Sequence, residues 1–267
     1  MLSISIVTYQ LEVLLFHKLL DSLYTAINNL NSDNLPVTIQ IIDNDNQEQL
    51  LVEVCSDYQS TFVHLEIISG LKNIGFGRGH NLSILPSRAK YHLILNPDVV
   101  LDPDCLIKGI TYLEENNTVC AVTPFSTDGK GNVQYLAKRF PTVIDLFLRG
   151  LAPRKIKSYF QNRLNNYESR DIINQNNIAM VDLISGCFML CRTDYLKKIG
   201  GFDERYFLYF EDFALSMELQ KFGVLHYLPS MKIIHYGGDT AQKGLKHIFM
   251  FVSSSIKFFN QYGWKFF

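Results

Sequence analysis

The N-terminal third of the chain switches repeatedly between two hydrophobic periods, and that alternation limits the fold more than any other feature. Leu2–Thr8 alternates apolar and small polar residues as a strand does, whereas Leu11–Leu30 sets Leu15, Leu19, Leu23 and Ile27 at helical spacing. Val37–Asp43 reads as a second strand and Gln47–Tyr58 as a second helix. Val63–Ile68 and Tyr91–Asn96 are further strands, and Asn73–Arg88 between them opens on a glycine-rich turn and continues as a helix. Asp102 is placed to N-cap another helix, with Pro103 in its first turn. Strands alternating with helices build a mostly parallel sheet covered on both faces. Ligands of such sheets bind beyond the carboxyl ends of the strands, so the chemistry is sought there.

The middle of the chain has a different character. Between Lys138 and Arg170 the basic residues Lys138, Arg139, Arg149, Arg154, Lys155, Lys157, Arg163 and Arg170 face only Asp145 and Glu168. Pro141 and Pro153 interrupt this stretch, and 138–180 reads as an excursion from the core. A solvated loop and a functional surface fit it equally well. Val181–Cys191 returns as a buried strand, Glu211–Phe222 as a helix ended by Gly223, and Leu225–Leu228 and Lys232–His235 as short strands. The tail, 240–267, holds Lys243, Lys246, Lys257 and Lys265, no acid, and Phe249, Phe251, Phe258, Phe259, Trp264, Phe266 and Phe267. It reads as an amphipathic helix for a membrane surface, or equally one packed on the core or a second subunit. The expected division is therefore a main domain, 1–239, and this tail.

Composition removes several classes. With 47% hydrophobic and 19% charged residues the chain can build a sizeable core, and a net charge of −1 gives no argument for a nucleic-acid partner. No window reaches the ~20 apolar residues of a spanning helix, and no signal peptide is read at the N-terminus. Cys55, Cys105, Cys120, Cys187 and Cys191 are scattered without metal or disulfide spacing, so a reduced cytoplasm is the expected compartment.

Candidate functional residues gather at strand ends. Asp43 closes the second strand, and in Asn96-Pro97-Asp98 the proline holds Asn96 extended and presents Asp98 just past the fourth. Gly75, Gly77 and Gly79 have the wrong spacing and place for a dinucleotide fingerprint, although glycines there would let backbone approach a sugar or phosphate. Glu211 and Asp212 follow an aromatic run. They are either first-turn acids on a helix dipole or carboxylates whose pKa an apolar wall raises towards general-base use. His235 ends a short strand.

In this order and spacing, Val7-Thr8-Tyr9, Ile42-Asp43-Asn44, Asn73-Ile-Gly-Phe-Gly77 with Asn81, Leu95-Asn-Pro-Asp98, Ser185-Gly186, Gly200-Gly-Phe-Asp203, Phe210-Glu-Asp212 and His235 resemble family 2 glycosyltransferases of GT-A fold. The likeness is greatest to the rhamnosyltransferase-like branch of bacterial surface-polysaccharide synthesis. The resemblance implies an α/β, Rossmann-like sheet and a donor site of Thr8, Tyr9, Asp43, Gly75, Phe76, Asn81, Asn96 and Gly186. It implies a divalent metal, Mg²⁺ or Mn²⁺, on Asp98 and His235, and catalysis by Asp212 as base with Glu211 positioning the acceptor or Asp212. Asn96 stands where the family has the first Asp of its metal motif, while Ala214 and Glu218 replace an Asp and an Arg common in relatives. Gln220-Lys-Phe-Gly223 lacks the processive Gln-x-x-Arg-Trp element, which implies one sugar per encounter. The implied donor is dTDP-L-rhamnose, with UDP-galactofuranose, UDP-glucose and UDP-N-acetylglucosamine as alternatives. The implied acceptor is a glycan or polyprenyl-linked sugar, reached from the cytoplasmic face of the inner membrane. A non-catalytic nucleotide-sugar-binding scaffold is the reading from a different class.

Overall fold

The computed structural model describes residues 2–30, 36–58, 60–150, 152–237 and 244–267. Strands β1 (Leu2–Thr8), β2 (Val37–Asp43) and β3 (Val63–Ile68) alternate with helices α1 (Val13–Leu30) and α2 (Glu48–Cys55). Helix α3 (Phe76–Ile84) and strands β4 (Tyr91–Leu95) and β5 (Val99–Leu101) follow, then α4 (Cys105–Glu115) and β6 (Val119–Thr127). β1 pairs in parallel with β2 and β4, and β2 with β3. On α1, Leu19, Leu23 and Ile27 are fully buried as their spacing predicts, and Phe16, Leu20 and Ala26 join them. Asp102 caps a turn rather than α4 itself: its carboxylate accepts the Asp104 N–H at 3.2 Å, and the helix starts at Cys105.

Beyond α4 the chain is more broken than its pattern suggests. After the short strands β7 (Val133–Gln134) and β8 (Ala137–Lys138) come three helices, α5 (Val143–Gly150), α6 (Arg154–Tyr159) and α7 (Gln161–Tyr167). The basic excursion is thus helical, not a loop. The expected strand Val181–Cys191 is three: β9 (Ala179–Val181), β10 (Leu183–Ile184) and β11 (Phe188–Arg192), broken around Ser185-Gly186. After α8 (Thr193–Lys198) and α9 (Glu211–Leu219), the two expected short strands are one, β12 (Val224–His235), whose register on β6 shifts between Leu228 and Lys232. Strand β6 itself was hidden by Pro124. That residue pairs with Leu228 at the edge of the shift, where a missing N–H is tolerated. Helix α10 (Leu245–Tyr262) ends the chain's regular structure.

The main sheet runs β3-β2-β1-β4-β11-β6-β12-β5, with β11 antiparallel to both neighbours, and a small sheet pairs β10 with β8. A buried polar link fastens α3 to the sheet. The Ser5 hydroxyl on β1 bridges His80 Nδ1 on α3 at 2.6 Å and His92 Nε2 on β4 at 2.8 Å. Burial pulls the His92 imidazole down to about 3 and His80 well below its usual range, so both rings stay neutral. All five cysteines are buried free thiols.

Candidate active site

Parallel pairing puts the candidate residues on one edge. Thr8 and Asp43 are direct register partners at the ends of β1 and β2, and Ile6 pairs with Leu95 at the end of β4. Thr8 is buried and donates to the Ile42 carbonyl, whereas Tyr9 is half exposed. Asp43 is fully buried. Its Oδ1 accepts the Asp45 N–H at 2.9 Å, and Oδ2 has no partner in the protein. A buried carboxylate oxygen of that kind needs a donor from a ligand.

The second group comes from the sheet's far side. β12 runs antiparallel to β5 with His235 opposite Val99, which brings His235 Nε2 to 3.5 Å from Asp98 Oδ1. Gln134 fixes the ring. Its Nε2 donates to the carbonyls of His235 and Gly237, both at 3.1 Å, so its Oε1 faces His235 Nδ1 at 3.0 Å and accepts that N–H. The lone pair of His235 Nε2 is thereby turned towards Asp98. A Cβ on Gly237 would collide with Asp98 Oδ2 and come 2.9 Å from His235 Nε2, so only glycine keeps the space between them open. A carboxylate and an imidazole suit a divalent ion that draws its remaining ligands from substrate oxygens and water. Among the described residues no group of three or more His, Cys, Asp or Glu side chains is gathered for a metal, so the two-residue pair is what the protein offers.

The acid pair forms the third group. Asp212 accepts the Gly186 N–H at 3.0 Å on Oδ2 and the Phe213 N–H at 2.9 Å on Oδ1. Glu211 is buried and its Oε2 has no partner. Burial raises both carboxyls, most strongly Glu211, which also feels the Asp212 charge. The two N–H groups and Arg149 pull Asp212 back down. Two backbone N–H donors favour the charged form on Asp212, whereas Glu211 Oε2 has no donor, so Asp212 is the carboxylate placed to act as base. Immediately before them Tyr209 and Phe210 both have left-handed backbone, with φ of 69° and 66°, a strained turn of the kind that concentrates at functional sites.

Residues 3–200 match the model of the family described as glycosyl transferase family 2. The chain belongs to this family. It is a glycosyltransferase, and bacterial rhamnosyltransferases are among its relatives. It is 31% identical over 232 residues to rhamnosyltransferase WbbL of Escherichia coli K12, covering 81% of this chain and 79% of WbbL. It is 27% identical over 222 residues to N-acetylglucosaminyl-diphospho-decaprenol L-rhamnosyltransferase of Mycobacterium tuberculosis, covering 75% of this chain and 67% of that one. Among solved structures, GalNAc-T7 with UDP, GalNAc and Mn²⁺ aligns at a TM-score of 0.66 with 12% identity, covering 97% of this chain and 47% of that one. S. aureus TarS 1–349 aligns at 0.52 with 13% identity, covering 86% and 59%. This chain thus spans about half the length of those neighbours, and likeness at such identity establishes the GT-A fold.

Other expected residues of this glycosyltransferase are placed as follows by the structure. Phe76, Gly186 and Asp212 meet: a Cβ on Gly186 would lie 3.0 Å from the Phe76 ring and 3.3 Å from Asp212 Cβ. The bare backbone of Gly186 serves those two neighbours and offers its N–H to Asp212. The Asn96 N–H donates to the Cys187 carbonyl, joining the donor edge to this turn. Both ends of the Asn81 amide are engaged within the protein. Its Oδ1 accepts the Phe202 N–H at 2.7 Å and its Nδ2 donates to the Phe202 carbonyl at 2.9 Å, tying α3 to the 200–202 turn. The glycines at the start of α3 also lie close to neighbouring groups. Gly75, at φ 93°, sits against the Phe207 carbonyl, Gly77 against Phe202 and Gly79 against Val7. The atypical Ala214 and Glu218 form the seat of α10, for the Tyr262 hydroxyl donates to Glu218 at 3.0 Å and lies 3.3 Å from the Ala214 carbonyl. Gln134 escaped the sequence reading entirely, because a two-residue strand carries no period to read.

Proposed function

We propose that this enzyme transfers one L-rhamnosyl residue per encounter, with inversion, from dTDP-L-rhamnose to a polyprenyl-diphosphate-linked sugar in cell-surface polysaccharide synthesis. The observation that carries the reaction type is Asp212, partly buried, oriented by two backbone N–H groups and adjacent to Glu211, whose carboxyl burial pushes up. Asp212 takes the proton of an acceptor hydroxyl whose oxygen attacks the anomeric carbon, and the bond to the donor diphosphate breaks on the opposite face. The unpartnered Asp43 Oδ2 receives the imide N–H of the donor's pyrimidine, which thymine and uracil share. Asp98 and His235 would hold the Mg²⁺ or Mn²⁺, whose contribution is to neutralise charge on the leaving nucleoside diphosphate. The sugar and the lipid acceptor rest on the names of the two bacterial relatives. No helix among the described residues is long and apolar enough to cross a membrane. The exposed Ile248, Phe249, Val252 and Ile256 of α10 give the enzyme an apolar face for peripheral contact with the membrane holding its acceptor. A non-catalytic scaffold fits less well, since a buried Glu211 with an unpartnered oxygen beside a second carboxyl is costly without a task.

Calorimetric titration with dTDP, UDP and GDP, each with Mn²⁺ and with EDTA, tests the donor. Metal-dependent binding of dTDP over UDP is the expected result. A preference for UDP keeps the class and replaces the sugar, and binding of no nucleotide overturns the function.

Gln134→Leu tests the metal pair separately. It frees the His235 ring and is expected to weaken Mn²⁺ binding in the presence of nucleotide by about 10–100-fold, with metal-free nucleotide binding unchanged. Free Mn²⁺ followed by electron paramagnetic resonance reads this directly, and unaltered affinity would remove Gln134 from the site.

A further inference from the structure

The helical excursion carries positive charge that its own acids do not match. Arg163 lies on Asp145 and Arg139 on Asp171, each at 2.6 Å, so those two pairs are closed. Glu168 is shared by three cations instead: Arg170 at 2.6 Å, and Lys138 and Arg149 each at 3.8 Å. Lys138 is buried, with its ammonium 5.9 Å from the Tyr167 ring, while Arg170 stacks over Tyr135 at 4.6 Å. Burial first, and then Arg149, pull Lys138 down to about 7 against the opposing pull of Glu168, with Arg170 adding to the fall. The cluster is short of an anion.

Its place in the fold says which anion. Lys138 on β8 is paired with Leu183 on β10, and that strand runs directly into Ser185-Gly186, whose N–H groups bond the Leu136 carbonyl and Asp212. Arg149 lies within electrostatic reach of Asp212. The pairing of β8 with β10 therefore ties the cluster to the Ser185-Gly186 turn whose N–H bonds Asp212. The donor edge, with Thr8, Asp43 and Asp98, is built from other strands. Arginine forks match phosphate oxygens in two-point contacts, and both side chains are partly exposed and open to a ligand.

We propose that Lys138, Arg149 and Arg170 form the site that grips the diphosphate of the acceptor and thereby sets its sugar hydroxyl against Asp212. This rests on the proposed diphosphate-linked acceptor. The test uses a water-soluble N-acetylglucosaminyl diphosphate on a short alkyl chain, and the same sugar as an alkyl glycoside without diphosphate. In the double variant Arg149→Ala, Arg170→Ala, KM for the diphosphate acceptor is expected to rise about tenfold or more, and the preference over the glycoside to collapse, while donor-nucleotide affinity is kept. Arg149→Lys, Arg170→Lys should recover part of the loss. Equal losses on both acceptors, or an unchanged KM, would overturn the proposal.

Calorimetry with inorganic pyrophosphate in EDTA reads the cluster without turnover. Pyrophosphate binding that the alanine pair abolishes supports the site even if neither acceptor is glycosylated, in which case the proposed reaction fails alone. Pyrophosphate binding that the alanine pair leaves intact overturns the site. A third arm uses phosphatidylglycerol vesicles. If the variant loses vesicle binding yet retains its affinity for soluble acceptor, the cluster reads lipid headgroups and the assignment is overturned.

Discussion

Asp212→Asn is expected to lower the rate of transfer by about 10²–10⁴-fold while nucleotide affinity stays within about twofold. The substitution keeps the size of the group but removes the proton acceptor. Its amide nitrogen must also avoid the two N–H groups, from Gly186 and Phe213, that now hold the carboxylate. The pH profile provides the second reading. Burial raises the Asp212 carboxyl, so kcat/KM of the wild type should fall as pH drops through a value above the usual carboxylate range. The residual activity of the variant should lack that limb. Stability moves the other way. A carboxyl whose folded pKa is raised binds more protons folded than unfolded between the two values, so stability declines as pH rises through that window and stays lower above it. The asparagine variant, with no charge to bury there, should lose that part of the decline. Equal turnover by variant and wild type would show that another group takes the proton.

The sequence displayed what is local and concealed what depends on register. Period alone outlined β1 to β4 and α1, and strand ends alone pointed to Asp43 and Asp98, while Thr8 came only from the family resemblance. The meeting of Asp98 with His235, however, is made by antiparallel pairing of β5 with β12, elements far apart in the chain, and no local pattern reports it. Gln134 is more hidden still, since its amide matters only once β7 lies on β6 and beside the end of β12. Motif residues also carry packing. Asn81, Gly77 and Gly79 belong to the pattern that marks the family, yet their contacts are with Phe202 and Val7, so the pattern preserves a packing solution as well as a binding site. The tail was ambiguous because aromatic residues suit a membrane surface and a protein core alike. Phe258 and Phe259 turn out to be buried, while Phe249 is three-quarters exposed, so one helix serves protein on one face and solvent on the other.

That buried face gives the second large prediction. Phe258→Ala is expected to destabilise the fold by about 3–5 kcal/mol and, beyond that, to slow transfer in the enzyme that remains folded. Phe258 is fully buried among Phe140, Phe210 and Tyr262, with ring centroids 5.0–5.4 Å apart. Phe210 is one of the two left-handed residues that turn the chain into Glu211 and Asp212, a conformation costing roughly 1–3 kcal/mol for each residue. Packing from α10 over-determines that turn. Ser254 donates to the Leu208 carbonyl, and Tyr209 and His247 share a 2.8 Å hydrogen bond. Removing the Phe258 ring leaves a cavity under Phe210 into which the strained turn can relax, shifting both carboxyls. Phe16→Ala is the control, for Phe16 is as deeply buried but on α1, away from the acid pair. Urea denaturation should show comparable losses for the two variants. At a temperature where both are folded, kcat should fall only for Phe258→Ala. Matching kcat values would mean that the turn holds its shape without α10, and that the tail stabilises the enzyme without tuning its base.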